Sequence, residues 1–149
     1  AGADWIARCR KQGEEIKKIV RACEEEGRSF VDPLFPPSPS SLARCTGHEE
    51  VWSWRRPSEM CDGEPSLFSG GMGAGDVVQG RLRDCWYLGA LSIMAGRRRE
   101  RLEALVCFGW VARGVHAVRF FVEGRWVVVV VDDLIPCDRF GRPIFGRCR

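Results

Sequence analysis

The run Gln79-Gly80-Arg81-Leu82-Arg83-Asp84-Cys85-Trp86-Tyr87-Leu88 decides the reading of this chain. It sets a cysteine at the start of a predicted helix and a glutamine one short loop upstream. Asp84 is a good N-cap residue. Leu88, Leu91, Ser92 and Ala95 continue one helical face, and Gly96 is a natural stop. A thiol in the first turn of a helix meets the positive end of the helix dipole, which favours thiolate. A side-chain amide held nearby can donate to an oxygen that gathers negative charge. The pair suits nucleophilic attack on a carbonyl, with Cys85 as nucleophile and Gln79 as oxyanion donor. A cysteine outside such a setting reads as a buried thiol.

The 149 residues fit one domain with a modest core, at 45% hydrophobic and 29% charged residues. A net charge of +3 is too weak to argue for nucleic acid. Arg97, Arg98, Arg99 and Arg101 cluster after a predicted helix end, where cations complement the last carbonyls. A solvated cap is therefore preferred to a binding patch. No apolar run is long enough to span a bilayer, and the first residues lack a signal-peptide pattern. A cytoplasmic or intracellular chain is expected, with a membrane segment in a longer parent left open. The eight cysteines are Cys9, Cys23, Cys45, Cys61, Cys85, Cys107, Cys137 and Cys148. None forms a Cys-x-x-Cys pair, so zinc has little support. Chain length and the missing secretion pattern argue for a reducing compartment over a disulfide framework.

Two regions are expected: 1–28, an amphipathic helix or linker, and 29–149, a globular lobe. Ile6, Cys9, Ile16, Ile19, Val20 and Cys23 recur at helical spacing between Asp4 and Glu26, and Gly27 ends the helix. Docking on its own domain is preferred to partner binding. Asp32 to Leu42 is Pro- and Ser-rich and predicts an extended loop; Val51–Trp54 predicts a short strand. The glycines from Gly70 to Gly75 precede no Gly-Lys-Ser/Thr, which rejects nucleotide binding. A second helix is predicted over Glu100–Cys107, with Leu102, Leu105 and Val106 inward. The period then changes to two: Val115–Val122, a tight turn at Glu123-Gly124, and a partner strand Arg125–Asp132. Five valines from Val127 predict burial on both faces. His116 within this hairpin reads as structural. Asp132 and Asp133 read as capping groups or partners of an arginine. Phe140–Phe145 predicts a further strand. The fold class is α+β, helices packed on a small antiparallel sheet.

The first run resembles the nucleophile motif of the calpain family, Gln-Gly-x-Leu-Gly-Asp-Cys-Trp-x-Leu. Phe30-Val31-Asp32-Pro33-Leu34-Phe35-Pro36, Trp54-Arg55-Arg56-Pro57-Ser58-Glu59 and Phe68-Ser69-Gly70-Gly71 with Asp76 resemble further family segments in order. So do Gly124-Arg125-Trp126-Val127 and Val129–Pro136. Ile135-Pro136-Cys137 and Gly141-Arg142-Pro143 look most like the plant-type branch. The match runs from about Phe30 to Arg149. It implies the first lobe of a papain-like protease core. Cys85 would attack a peptide carbonyl, Gln79 and the Cys85 N–H would hold the oxyanion, and Arg83, Asp84 and Trp86 would line the substrate cleft. Trp86 would shield the site. Protein substrates are implied.

By the same resemblance the glycine-rich loop is a Ca²⁺ site, with Ser69, Gly71 and Asp76 at the ligand positions, and hard oxygen ligands suit that ion. The family's further glutamate lies past Arg149, so weak affinity is expected; Asp76 capping the turn is the equal alternative. The family's general base and its orienting asparagine lie in a second lobe. This chain has no asparagine, and its histidines, His48 and His116, match no motif. It is expected to be inactive alone and to need a lobe bearing His and Asn, in the same chain or in trans. Arg83 stands where the family has glycine and implies narrowed specificity, favouring acidic groups, or impaired catalysis. The competing reading is a non-catalytic calpain-like regulatory or protein-binding module.

Overall fold

The computed structural model describes residues 2–45, 50–67 and 77–148. Helix α1, Gly2–Glu25, buries Ile16, Val20 and Cys23 on one side. Glu14, Glu15, Lys17 and Lys18 face solvent on the other. Gly27 ends the helix with a left-handed backbone, φ +62°. There the Arg28 N–H donates to the Cys23 carbonyl at 3.0 Å and the Gly27 N–H to that of Glu24 at 3.1 Å. This pairing satisfies the last helical carbonyls and favours glycine at the turn.

Three strands form the main sheet: β3 (Val106–Trp110), β4 (Val115–Val122) and β5 (Arg125–Val131), antiparallel in the order β3-β4-β5. Two short strands precede them, β1 (Ser53–Arg55) and β2 (Val77–Val78). Glu123 and Gly124 form the β4–β5 turn with φ of +49° and +74°, a turn whose twist matches the strands it joins. Helix α1 covers one sheet face. Ile16 and Val20 pack on Val115 and Ala117, flanked by Ile19, Phe30, Val128 and Val130. Burying an Ile or Val side chain is worth roughly 1.5–3 kcal/mol, so this cluster anchors the helix.

The structure departs from the sequence pattern in three places. The valine run is not buried on both faces: Val128 and Val130 meet α1, while Val129 is 38% exposed. The helix expected over Glu100–Cys107 is α3, Arg99–Glu103, and Val106 already opens β3. Strand-favouring residues there pair with β4, and this pairing overrides the helical spacing. Phe140–Phe145 is a turn rather than a strand, carrying only an isolated bridge between Cys137 and Pro143. Asp138 organises that turn by accepting the Phe140 N–H at 2.8 Å and the Arg142 N–H at 3.0 Å. These donors, the Arg142 N–H foremost, hold the Asp138 carboxyl below the ordinary range.

Among the described residues two small ladders accompany this sheet: β1 with β6 (Ile135–Cys137), and β2 with β7 (Arg147–Cys148). The segment after α1 is tied to the end of β5. The Asp32 N–H donates to Asp132 Oδ2 at 2.7 Å, and Asp132 Oδ1 caps Leu134 N–H at 3.0 Å. Arg56 pairs with Asp133 in a largely buried contact and donates to the Phe30 carbonyl at 2.7 Å. The two aspartates therefore cap and pair, as their sequence setting predicts. Cys23, Cys61, Cys85, Cys107 and Cys137 are unbridged thiols. Among the described residues no helix is long and apolar enough to cross a membrane.

Candidate active site

β2 delivers Gln79, and helix α2 (Cys85–Arg97) begins at Cys85. Leu88, Leu91 and Ser92 are half-buried and Ala95 is buried, the face that the spacing predicts; the helix runs one residue past Gly96. The connecting loop is backed by residues 144–148. Val77 and Val78 pair with Cys148 and Arg147, and the Arg81 N–H donates to the Ile144 carbonyl at 3.2 Å. Gly80 lies against the Phe145 backbone so closely that a Cβ would overlap its atoms. Glycine is required here by close approach, not by φ. Gly146 faces Leu88, where an added Cβ would come within 3.3 Å of a side-chain methyl.

Cys85 is exposed at the helix start. The Gln79 side-chain nitrogen donates to the Leu82 carbonyl at 2.6 Å and to Asp84 Oδ1 at 2.9 Å. Asp84 occupies the N-cap position, and its carbonyl accepts the N–H groups of Tyr87 at 2.9 Å and Leu88 at 3.0 Å. Its carboxylate makes no bond to the helix. The Gln79–Asp84 contact is not among the expectations from sequence, which make Asp84 a helix cap and a cleft-lining residue. The available signal was a carboxylate and a carboxamide at the two ends of one short loop.

Arg83 is exposed beside the nucleophile. Trp86 is 76% exposed at the helix start and meets Tyr87 edge-on at 5.8 Å between ring centroids. Burial, with the charge of Asp84 adding, pushes the Tyr87 phenol up. Behind Gln79 lies a cleft of about 510 Å³ with Glu50, Arg81, Asp138 and Arg142 on its walls. These charges form the pairs Arg81–Glu50 and Arg142–Asp138. Ser69, Gly71 and Asp76, and also His48, lie outside the described residues. Among the described residues no group of three or more His, Cys, Asp or Glu is placed to hold a metal ion.

His116 sits in β4 opposite Gly109 and Val131. Its Nδ1 is buried with no hydrogen-bond partner among the described residues. Burial lowers its pKa, against the opposing charges of Asp133 and Asp132. The unfolded chain, titrating near an ordinary value of about 6.5, therefore binds the proton more readily than the folded one. The stabilising contribution is present above that pH and is lost as pH falls through the folded pKa. Thermal unfolding between pH 7.5 and 5.5 is expected to show a melting temperature that falls with pH, and His116→Phe is expected to flatten that slope. An equal slope in the variant would remove His116 as the cause.

The profile of the calpain family cysteine proteases matches residues 30–149. The chain is 38% identical over 132 residues to the calpain-type cysteine protease ADL1 of Oryza sativa subsp. japonica, covering 82% of this chain and 6% of that protein. It is 38% identical over 130 residues to the calpain-type cysteine protease DEK1 of Zea mays, covering 84% and 6%. Calpain-5 of Caenorhabditis elegans is 32% identical over 143 residues, 91% of this chain and 22% of its own length. The chain thus spans less than a quarter of each of these curated relatives.

Proposed function

The chain belongs to the calpain family of cysteine proteases, and we propose that it is the nucleophile lobe of a cysteine endopeptidase completed by a second lobe bearing His and Asn. One observation carries the reading: Gln79 and Cys85 are the two ends of a single loop held against residues 144–148. In the assembled enzyme the histidine takes the Cys85 proton as sulfur attacks the peptide carbonyl. The Cys85 N–H and the Gln79 amide hold the oxyanion. The histidine returns its proton to the leaving amine, and water then hydrolyses the thioester, freeing the thiol.

Calcium enters this proposal as a regulator through the family resemblance and the positions of Ser69, Gly71 and Asp76. Oxygen ligands there would hold the ion and bias how the two lobes meet. Arg83 adds an exposed cation beside the nucleophile, which supports a preference for acidic substrate groups. A second reading, a non-catalytic calpain-like module, draws support from the same Arg83 and from the engaged state of the Gln79 amide.

The test extends the chain through a histidine- and asparagine-bearing lobe and measures peptide hydrolysis with and without Ca²⁺, using Cys85→Ala as the blank. Activity is expected in the extended protein and not in residues 1–149 alone. Substrate binding without cleavage would establish the module instead. In the active protein, Arg83→Gly is expected to lower the preference for acidic residues; unchanged rates and preferences would remove that role.

A further inference from the structure

The side-chain amide of Gln79 carries two hydrogens. One donation goes to the Leu82 carbonyl at 2.6 Å and the other to Asp84 Oδ1 at 2.9 Å. In this arrangement no amide hydrogen remains for an oxyanion. The acceptor that differs in kind is Asp84. It stands at the N-cap of α2, yet its carboxylate leaves the helix uncapped. An N-cap carboxylate reaches the N–H of the second or third helical residue, here Trp86 or Tyr87.

We propose that Asp84 is a positioning residue with two stations. At rest it latches the Gln79 amide; turned toward α2 it caps the helix and frees one of the two amide hydrogens, the other staying on the Leu82 carbonyl. The capping station leaves the Cys85 N–H, the first helical donor, untouched. A single side-chain rotation thus releases one oxyanion donor without consuming the other. The catalytic meaning of the switch rests on reading Gln79 as an oxyanion donor, whereas the latch itself does not.

The chain has two glutamines, Gln12 and Gln79, and no asparagine. Side-chain amide NMR therefore shows two carboxamide pairs, assigned by the one that Gln79→Ala removes. In the unaltered chain the Gln79 pair is expected to exchange with water about tenfold more slowly than a free glutamine amide, as a charge-assisted contact requires. Asp84→Ser keeps a capping hydroxyl but is too short to hold Gln79. It is expected to return the hydrogen that Asp84 accepts to the free rate, while the one donated to Leu82 stays slow. Fast exchange in the unaltered chain, or unchanged slow exchange of both hydrogens in Asp84→Ser, would overturn the latch. Should Asp84→Ser not fold, Asp84→Asn is expected to give an intermediate rate, and an unaltered rate there overturns it equally.

In the two-lobe protein, Asp84→Ser is expected to raise kcat severalfold with KM held, because the latched population no longer competes. A fall in kcat with a freed amide would overturn the switch. If Gln79→Ala leaves kcat unchanged, the oxyanion reading fails while the amide exchange still reports the latch.

Discussion

Gly80→Ala is expected to unseat the nucleophile loop and destabilise the chain by about 2–4 kcal/mol, from overpacking plus the lost Arg81–Ile144 hydrogen bond. The added Cβ would meet the carbonyl carbon, Cα and oxygen of Phe145, and backbone yields far less easily than a side-chain tip. The strain has one outlet, which is to pull residues 79–81 away from 144–145. That movement loosens the Arg81 contact to Ile144 and the short β2–β7 ladder beside it. A melting temperature lower by roughly 10 °C is expected for a chain of this size. Gly146→Ala is the control, because its Cβ would meet only the Leu88 side chain, which can give way. Its cost is expected to stay below about 1 kcal/mol. Equal melting temperatures for Gly80→Ala and the unaltered chain would mean that the loop does not depend on this contact.

Arg56→Ala carries the other large effect. The guanidinium pairs with Asp133 and donates to the Phe30 carbonyl, and both side chains of the pair are largely buried. Removing it strands the Asp133 carboxylate in low dielectric beside Asp132. Breaking such a pair from one side costs about 3–5 kcal/mol. Urea unfolding is expected to show a lowered midpoint with little change in slope. Arg56→Lys is expected to recover only part of the loss, because an ammonium cannot serve Asp133 and Phe30 with a planar fork. The double substitution Arg56→Met with Asp133→Leu is expected to be milder than Arg56→Ala, since no unpaired charge stays behind. A midpoint in Arg56→Ala equal to that of the unaltered chain would show that the contact contributes nothing.

Much of the fold was legible because its signals are local. Alternation over Val115–Val122 and a Glu-Gly turn specify the β4–β5 hairpin within one short stretch. The periodicity of α1 and the stop at Gly27 are equally local. β3 was not legible, because Glu100–Cys107 satisfies helical spacing and only pairing with β4 decides otherwise. The valines misled for a related reason. A continuous apolar run states hydrophobicity, but not how many faces another element will cover. At the site, the motif located Gln79 and Cys85 at the ends of one loop. It could not say which way Asp84 would turn, since a cap and a latch draw on the same carboxylate.

The β2–β7 ladder also bears on the order in which the chain is made. A ribosome releases Gln79 through Cys85 well before Ile144 through Cys148. The reactive loop emerges without its backing, while the β4–β5 hairpin, whose contacts are local, has both strands in hand sooner. Loop closure between distant segments comes late because its entropic cost precedes any gain. The thiol-bearing turn thus acquires its fixed shape only after the rest of the lobe exists to hold it.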